Sequence, residues 1–91
     1  MRVRYFAHIR KITGCAEEDF PYQESIGALA RSLCERYGKA LQKKIFLNGA
    51  EELSPEIIIL INGRHVSHLG GLIALLEPED RVDVFPVVAG G

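Results

Sequence analysis

The sequence predicts an α+β domain in which one main helix crosses a mixed sheet of four or five strands. Three features carry that expectation. Residues 2–9 alternate, with Val3, Tyr5, Ala7 and Ile9 on one face and Arg2, Arg4, Phe6 and His8 on the other, the period-two signature of a strand. Ile26, Leu29, Ala30, Leu33, Cys34 and Tyr37 recur at helical spacing and give one apolar stripe. Ile57–Ile61 is an unbroken apolar run rich in isoleucine, followed at once by Asn62-Gly63, the dipeptide that favours a type I′ hairpin turn.

In chain order, Thr13-Gly14 reads as a turn after the first strand. Residues 16–22 form a second extended segment with Phe20 and Tyr22 in alternation. Pro21 has no N–H for a ladder, so this strand lies at an edge or ends there, and the two strands make an N-terminal hairpin. Ser25 is placed to cap the main helix, residues 26–37, and Gly38 to end it, while Arg31, Glu35 and Arg36 face water. Residues 39–56 read as a connection with at most one helical turn, punctuated by Asn48-Gly49 and Ser54-Pro55. Residues 64–66 are a short return strand. After the break at Gly70-Gly71, residues 72–76 suit either a strand or a helical turn. Residues 77–80 are a turn, and 81–87 alternate again, with Val82, Val84 and Pro86 opposite Asp83, Phe85 and Val87. The most economical arrangement pairs this last strand in parallel beside the first, at the sheet centre.

A chain of 91 residues makes one domain. Apolar residues at 47% and charged residues at 25% exclude a disordered or low-complexity class. Eleven Lys and Arg against twelve Asp and Glu give a net charge of -1, which argues against a nucleic-acid or membrane-surface binder. No apolar run is long enough to span a bilayer, and the charged opening MRVRYFAHIR does not suit a secretory signal. Cys15 and Cys34 show neither CxxC spacing nor a disulfide framework, so a reducing, cytoplasmic compartment is expected. A domain this small buries roughly 60–65% of its unfolded surface, which leaves little room for an enclosed pocket. Its chemistry is then expected on an exposed edge or inside a partner.

Three stretches carry a family resemblance. Val3-Arg4-Tyr5-Phe6-Ala7 with Arg10 and Gly14 stands at the front, and Ile61-Asn62-Gly63 followed by Val66 in the middle. Glu79-Asp80-Arg81-Val82 leads into Phe85-Pro86-Val87-Val88-Ala89-Gly90-Gly91 at the back. Together they resemble the MoaD/ThiS family of ubiquitin-like sulfur carriers, above all the small subunit of molybdopterin synthase. The closing stretch is similar to the family's G-D-x-V followed by F-P-P-V-x-G-G. Glu79 departs from it where the family has glycine, and Val87 where it has a second proline. The resemblance implies a β-grasp fold over residues 1–91, ending in a flexible Gly-Gly tail of about residues 87–91.

Glycine has no Cβ, so a Gly-Gly end can thread a narrow channel and present its carboxylate to another protein's active site. The resemblance implies how that carboxylate is used. An ATP-dependent, ubiquitin-activating-like adenylyltransferase would convert the Gly91 carboxylate to an acyl-adenylate, and a sulfur donor would displace AMP to leave a thiocarboxylate. The tail, Val87, Val88, Ala89, Gly90 and Gly91, would then insert into the large subunit of molybdopterin synthase. The chain would supply no catalytic side chain, bind no permanent cofactor and engage neither nucleic acid nor membrane. Relatives serving thiamine, cysteine or tRNA thiolation, a ubiquitin-like modifier joined to lysines, and a plain β-grasp interaction module are the competing readings.

The remaining candidates follow from the residues. Phe6, Leu60 and Phe85, with Pro86 and Val87 beside them, are expected to form a partner-docking surface on the outer sheet face, unless Phe6 and Phe85 are merely cross-strand neighbours. His65 and His68 lie three apart with no carboxylate or thiolate within easy reach, so a solvated pair is expected and no metal site. Cys15 reads as incidental and Cys34, on the apolar stripe, as core.

Overall fold

The computed structural model describes residues 1–47, 49 and 52–87. Its elements run β1 (Arg2–Tyr5), α1 (His8–Thr13), β2 (Glu17–Asp19), α2 (Ile26–Tyr37), α3 (Lys39–Ile45), β3 (Phe46–Leu47), β4 (Glu52–Leu53), β5 (Ile57–Ile61), β6 (Arg64–His65) and β7 (Arg81–Pro86). Two 3₁₀ turns, Val66–His68 and Gly71–Ile73, fill the connection from β6 to β7. The main sheet has the order β2-β1-β7-β5-β6, with β1 and β7 parallel and every other pair antiparallel. This is the expected β-grasp: a mixed sheet whose last strand lies at the centre. One face of it is covered by α2.

The amphipathic pattern makes the core. Val3 and Tyr5 of β1, Ile57, Ile59 and Ile61 of β5, and Val82 and Val84 of β7 point to one side and are buried. They meet Ile26, Leu29, Ala30 and Leu33 of α2, Leu41 and Ile45 of α3, and Ile9 of α1 in a single cluster. The Ser25 hydroxyl accepts the Ala28 N–H at 3.2 Å and so caps α2, and Gly38 ends it at φ 81°. Asn62 and Gly63 both take positive φ, 49° and 84°, as a type I′ turn needs. That turn is braced against the entry to β7. Asn62 Nδ2 donates to Asp80 Oδ1 at 2.8 Å, Asn62 Oδ1 accepts the Arg81 N–H at 2.9 Å, and Asp80 Oδ2 accepts the Glu77 N–H at 2.8 Å. The family-like Asn62 and Asp80 thus fix the start of the central strand.

Four expectations need correction. The first strand stops at Tyr5, because Ala7 turns the chain at φ 52° and ψ −134° while Ile9 N donates to Phe6 O at 3.1 Å. Ile9 reaches the core from α1, so the strand-like alternation runs past the strand by coincidence. The second strand covers only Glu17–Asp19; it is an edge strand, but α1 and not a short turn joins it to β1. Residues 39–56 hold α3 and the separate β3–β4 ribbon, more than one helical turn, and Asn48 of the expected Asn48-Gly49 turn lies outside the described residues. The return strand is two residues long, and Val66 begins a 3₁₀ turn. For residues 72–76, the ambiguity resolves as part of a 3₁₀ turn followed by a single antiparallel bridge, Leu75 to Ser25.

A polar hub closes the core beside β2. The hydroxyls of Tyr5 and Tyr37 both donate to Glu18 Oε2 at 2.5 Å, and Arg36 Nη1 stands 3.3 Å from Glu18 Oε1. Burial, with the Glu18 carboxylate beside them, raises both phenols well above the ordinary tyrosine value. Both therefore stay neutral donors at neutral pH, and the stability they contribute is lost as pH rises above about 10.

Two predictions follow from these placements. Glu18→Ala strands the fully buried Tyr5 hydroxyl and is expected to cost about 1–3 kcal/mol in urea unfolding at pH 7, whereas Tyr5→Phe, which removes the buried donor with its need, costs less. Equal losses would mean that the hub is not what holds Tyr5. Ala7→Gly relieves a backbone conformation that glycine adopts freely, and is expected to add about 1 kcal/mol of stability. An unchanged or lower melting midpoint would contradict the strain at Ala7.

Candidate functional site

The sheet face away from α2 bears a row of side chains running across all five strands. The strand registers set Glu17 beside Arg4, Arg4 beside Asp83, Asp83 beside Leu60 and Leu60 beside His65. Asp83, the middle of the row, is buried. Arg4 covers it with a two-point pair, Nε to Oδ1 at 2.6 Å and Nη2 to Oδ2 at 3.0 Å, while Arg81 Nε lies 3.5 Å from Oδ2. Chiefly through the Arg4 hydrogen bond, the Asp83 carboxyl is held below its ordinary value.

The same arginine organises the apolar part of the face. Its guanidinium carbon sits 5.5 Å from the Phe6 ring centroid, and Phe6 meets the Phe85 ring edge-on at 5.6 Å. Phe6, Leu60 and Phe85 are all half-buried there. Ile58, opposite Phe85 in the ladder and half-buried too, joins them; alternation within β5 was the signal that pairs it with Leu60. Pro86 does not belong to this surface. It is buried on the helix-covered side with Val82 and Val84, as the period of β7 requires.

The root of the tail lies where β7 ends. Val87 is 47% exposed, and its N–H donates to Glu56 O at 2.9 Å, the last described hydrogen bond along the strand. Glu56 is held in turn by the Ser54–Ile57 bend, in which the Ser54 hydroxyl accepts the Glu56 N–H at 3.1 Å. Beside this root, His8, Lys44, Pro55, Glu56 and Val87 line a cleft of about 290 Å³. Four separate segments of the sequence build it, so no single motif announced it. Val88, Ala89, Gly90 and Gly91, the rest of the expected tail, lie outside the described residues.

The other candidates take structural places. His65 and His68 meet edge-on with ring centroids 6.1 Å apart, and His65 Nδ1 accepts the Ser67 N–H, which occupies one ring nitrogen locally. Among the described residues no group of three His, Cys, Asp or Glu side chains could hold a metal. Cys15 and Cys34 are free thiols, each half-buried against the core, and burial raises the Cys34 thiol. No helix among the described residues is long and apolar enough to cross a membrane.

The Asp83 pair gives a pH prediction. The folded carboxyl lies below its ordinary value of 3.8, so the pair contributes fully above about pH 4 and fades as pH falls through the lowered value. Arg4→Gln is therefore expected to lower the melting midpoint more at pH 7 than at pH 3. The same loss at both values would mean that Asp83 is not paired as an anion.

The chain shares its fold with known proteins. It matches the profile of the ThiS family over residues 3–91. It is 34% identical to small archaeal modifier protein 3 of Haloferax volcanii over 93 residues, which span 100% of this chain and 98% of that protein. The solution structure of small archaeal modifier protein 1 from Methanosarcina acetivorans superposes with a TM-score of 0.86 at 36% identity, covering 99% of this chain and 94% of the other. A Pyrococcus furiosus protein assigned as subunit 1 of a molybdopterin converting factor gives a TM-score of 0.72 at 29% identity, covering 96% and 95%. The chain belongs to the ThiS family, as a ubiquitin-like β-grasp protein of the sulfur-carrier or modifier kind.

Proposed function

We propose that this chain carries sulfur as a thiocarboxylate on Gly91 and delivers it as the small subunit of molybdopterin synthase. The observation that carries the reading is the position of the tail root. The strand that leads to it is the central one, paired on both sides, and ends at Val87 beside an open apolar face. A partner that docks on Phe6, Ile58, Leu60 and Phe85 meets the tail at a fixed origin. The family match, which runs through residue 91, and the likeness to the Pyrococcus furiosus subunit support the same reading.

A carboxylate resists nucleophiles because its charge is delocalised and it has no leaving group. In the proposed sequence, a Gly91 carboxylate oxygen attacks the α-phosphorus of ATP on an activating enzyme and pyrophosphate departs. Hydrosulfide as the sulfur donor then attacks the acyl carbon, the acyl C–O bond to AMP breaks, and loss of the S–H proton leaves the thiocarboxylate. Its sulfur is an anion near neutral pH and therefore a ready nucleophile. The large subunit would supply the acid–base groups for the transfer; this chain supplies the tail and the docking face. Such chemistry suits a reducing cytoplasm, where Cys15 and Cys34 remain thiols.

A second reading is favoured by the modifier proteins among the relatives. There the activated glycyl group passes to a lysine amine and forms an amide. Both readings share the adenylate and differ in the nucleophile that takes it.

Mass spectrometry separates them. Incubated with its activating enzyme, ATP and a sulfur source, the carrier is expected to gain the mass difference between sulfur and oxygen, confined to the peptide after Arg81. In cell extract, a modifier would instead leave residues 82–91 attached to a partner lysine after trypsin. Neither change, with an activating enzyme that accepts the chain in a pyrophosphate-exchange assay, would sink both.

A further inference from the structure

We propose that the corner between α2 and α3 is a second docking surface, which takes an acidic segment of a partner protein carrying one apolar anchor residue. Residues 31–46 hold five cations, Arg31, Arg36, Lys39, Lys43 and Lys44, against Glu35 alone, whereas the rest of the chain has six cations against eleven carboxylates. A nearly neutral protein thus concentrates positive charge on one helical corner. Arg36 is occupied by Glu18, but Arg31, Lys39 and Lys43 form no ion pair among the described residues.

The corner is shaped as well as charged. Gly38, at φ 81°, ends α2 and begins α3: its N–H donates to Cys34 O at 2.8 Å, and its carbonyl accepts the Gln42 N–H at 3.2 Å. A shallow groove of about 440 Å³ opens there, lined by Arg31, Cys34, Glu35, Gly38, Lys39, Gln42 and Phe46, so that one carboxylate stands among the cations. A neighbouring hollow of about 300 Å³ extends it past Phe46 to Lys43. Phe46 is only 7% exposed and forms the floor; the three cations stand exposed at the rim. Burial keeps the Cys34 thiol protonated, so it adds to an apolar floor.

Rim cations around a recessed apolar floor match an acidic stretch with one side chain to bury. The charges speed encounter and set register, and the anchor supplies contact area. Single-stranded nucleic acid fits less well, because binding it relies on exposed aromatic faces on which bases stack, and Phe46 is recessed. Lys44 faces the cleft beside Val87, but the groove residues Arg31, Lys39, Gln42, Lys43 and Phe46 belong to neither the tail root nor the Phe6–Phe85 face. The two proposals can therefore fail separately.

The test is amide shift mapping on the isotope-labelled full chain, titrated with a pool of short acidic peptides whose central positions are randomised among Leu, Ile, Val and Phe. Saturable shifts are expected at Arg31, Lys39, Gln42 and Phe46, with affinity reduced about tenfold or more in Arg31→Glu/Lys39→Glu. Unchanged β1 and β7 signals in that variant show that it is folded. The proposal is overturned by no saturable shift at these residues, or by shifts confined to the outer sheet face. Equal binding of a pool with Ser at the central positions, or tighter binding of a single-stranded oligonucleotide at the same corner, would overturn it too.

Discussion

Everything in this molecule is arranged around the placement of its last strand at the middle of the main sheet. β7 pairs in parallel with β1 over Arg81–Val84 and antiparallel with β5 over Val82–Pro86, so its backbone is paired on both edges from Val82 to Val84. The strand can leave only if both ladders open. Its inner residues Val82 and Val84 sit at the centre of the core, and its outer residues Asp83 and Phe85 at the centre of the exposed face. Fraying is therefore opposed on both edges as far as Val84, and on the β5 side alone from Phe85 to Val87.

That placement also explains a buried carboxylate on an otherwise open face. Asp83 is flanked by strands on either side and roofed by Arg4, which leaves water little access. A lone anion there would be costly, and the two-point guanidinium pair, with Arg81 as a second cation, offsets the lost hydration. Arg4 then lies over the Phe6 ring, and Phe6 meets Phe85 edge-on. A charge-neutralising contact therefore fixes the rotamers of the apolar groups beside it, and the face is organised before any partner arrives.

Much of this was legible in the sequence where a local rule and the global fold agree. The stripe from Ile26 to Tyr37, capped by Ser25 and closed by Gly38, gave α2 to the residue; the isoleucine run and Asn62-Gly63 gave β5 and its turn. The reading failed where two periods overlapped. Val3, Tyr5 and Ile9 keep one parity although a turn at Ala7 separates strand from helix, and no glycine marked the positive φ. Leu41 and Ile45, four apart, carried a helical signal for α3 that Leu47 blurred into an alternation with Ile45. On the site, Phe6, Leu60 and Phe85 followed from period two alone. The burial of Pro86 followed from the same period, but its place beside Phe85 in the chain masked it. The Asp83–Arg4 pair needed the parallel register of β1 and β7, which no local pattern encodes.

The tie between the Val87 amide and the Glu56 carbonyl has a mechanical consequence. In the family's usual closing, a proline at this point would have no N–H to give, and the ladder would end one rung sooner. Here valine carries the paired backbone one rung further. Residues 88–91, drawn fully straight, span at most about 14 Å. Under the proposed function, an enzyme acting on Gly91 would hold its reactive atoms within that radius of Val87, or break the Val87–Glu56 rung to reach further.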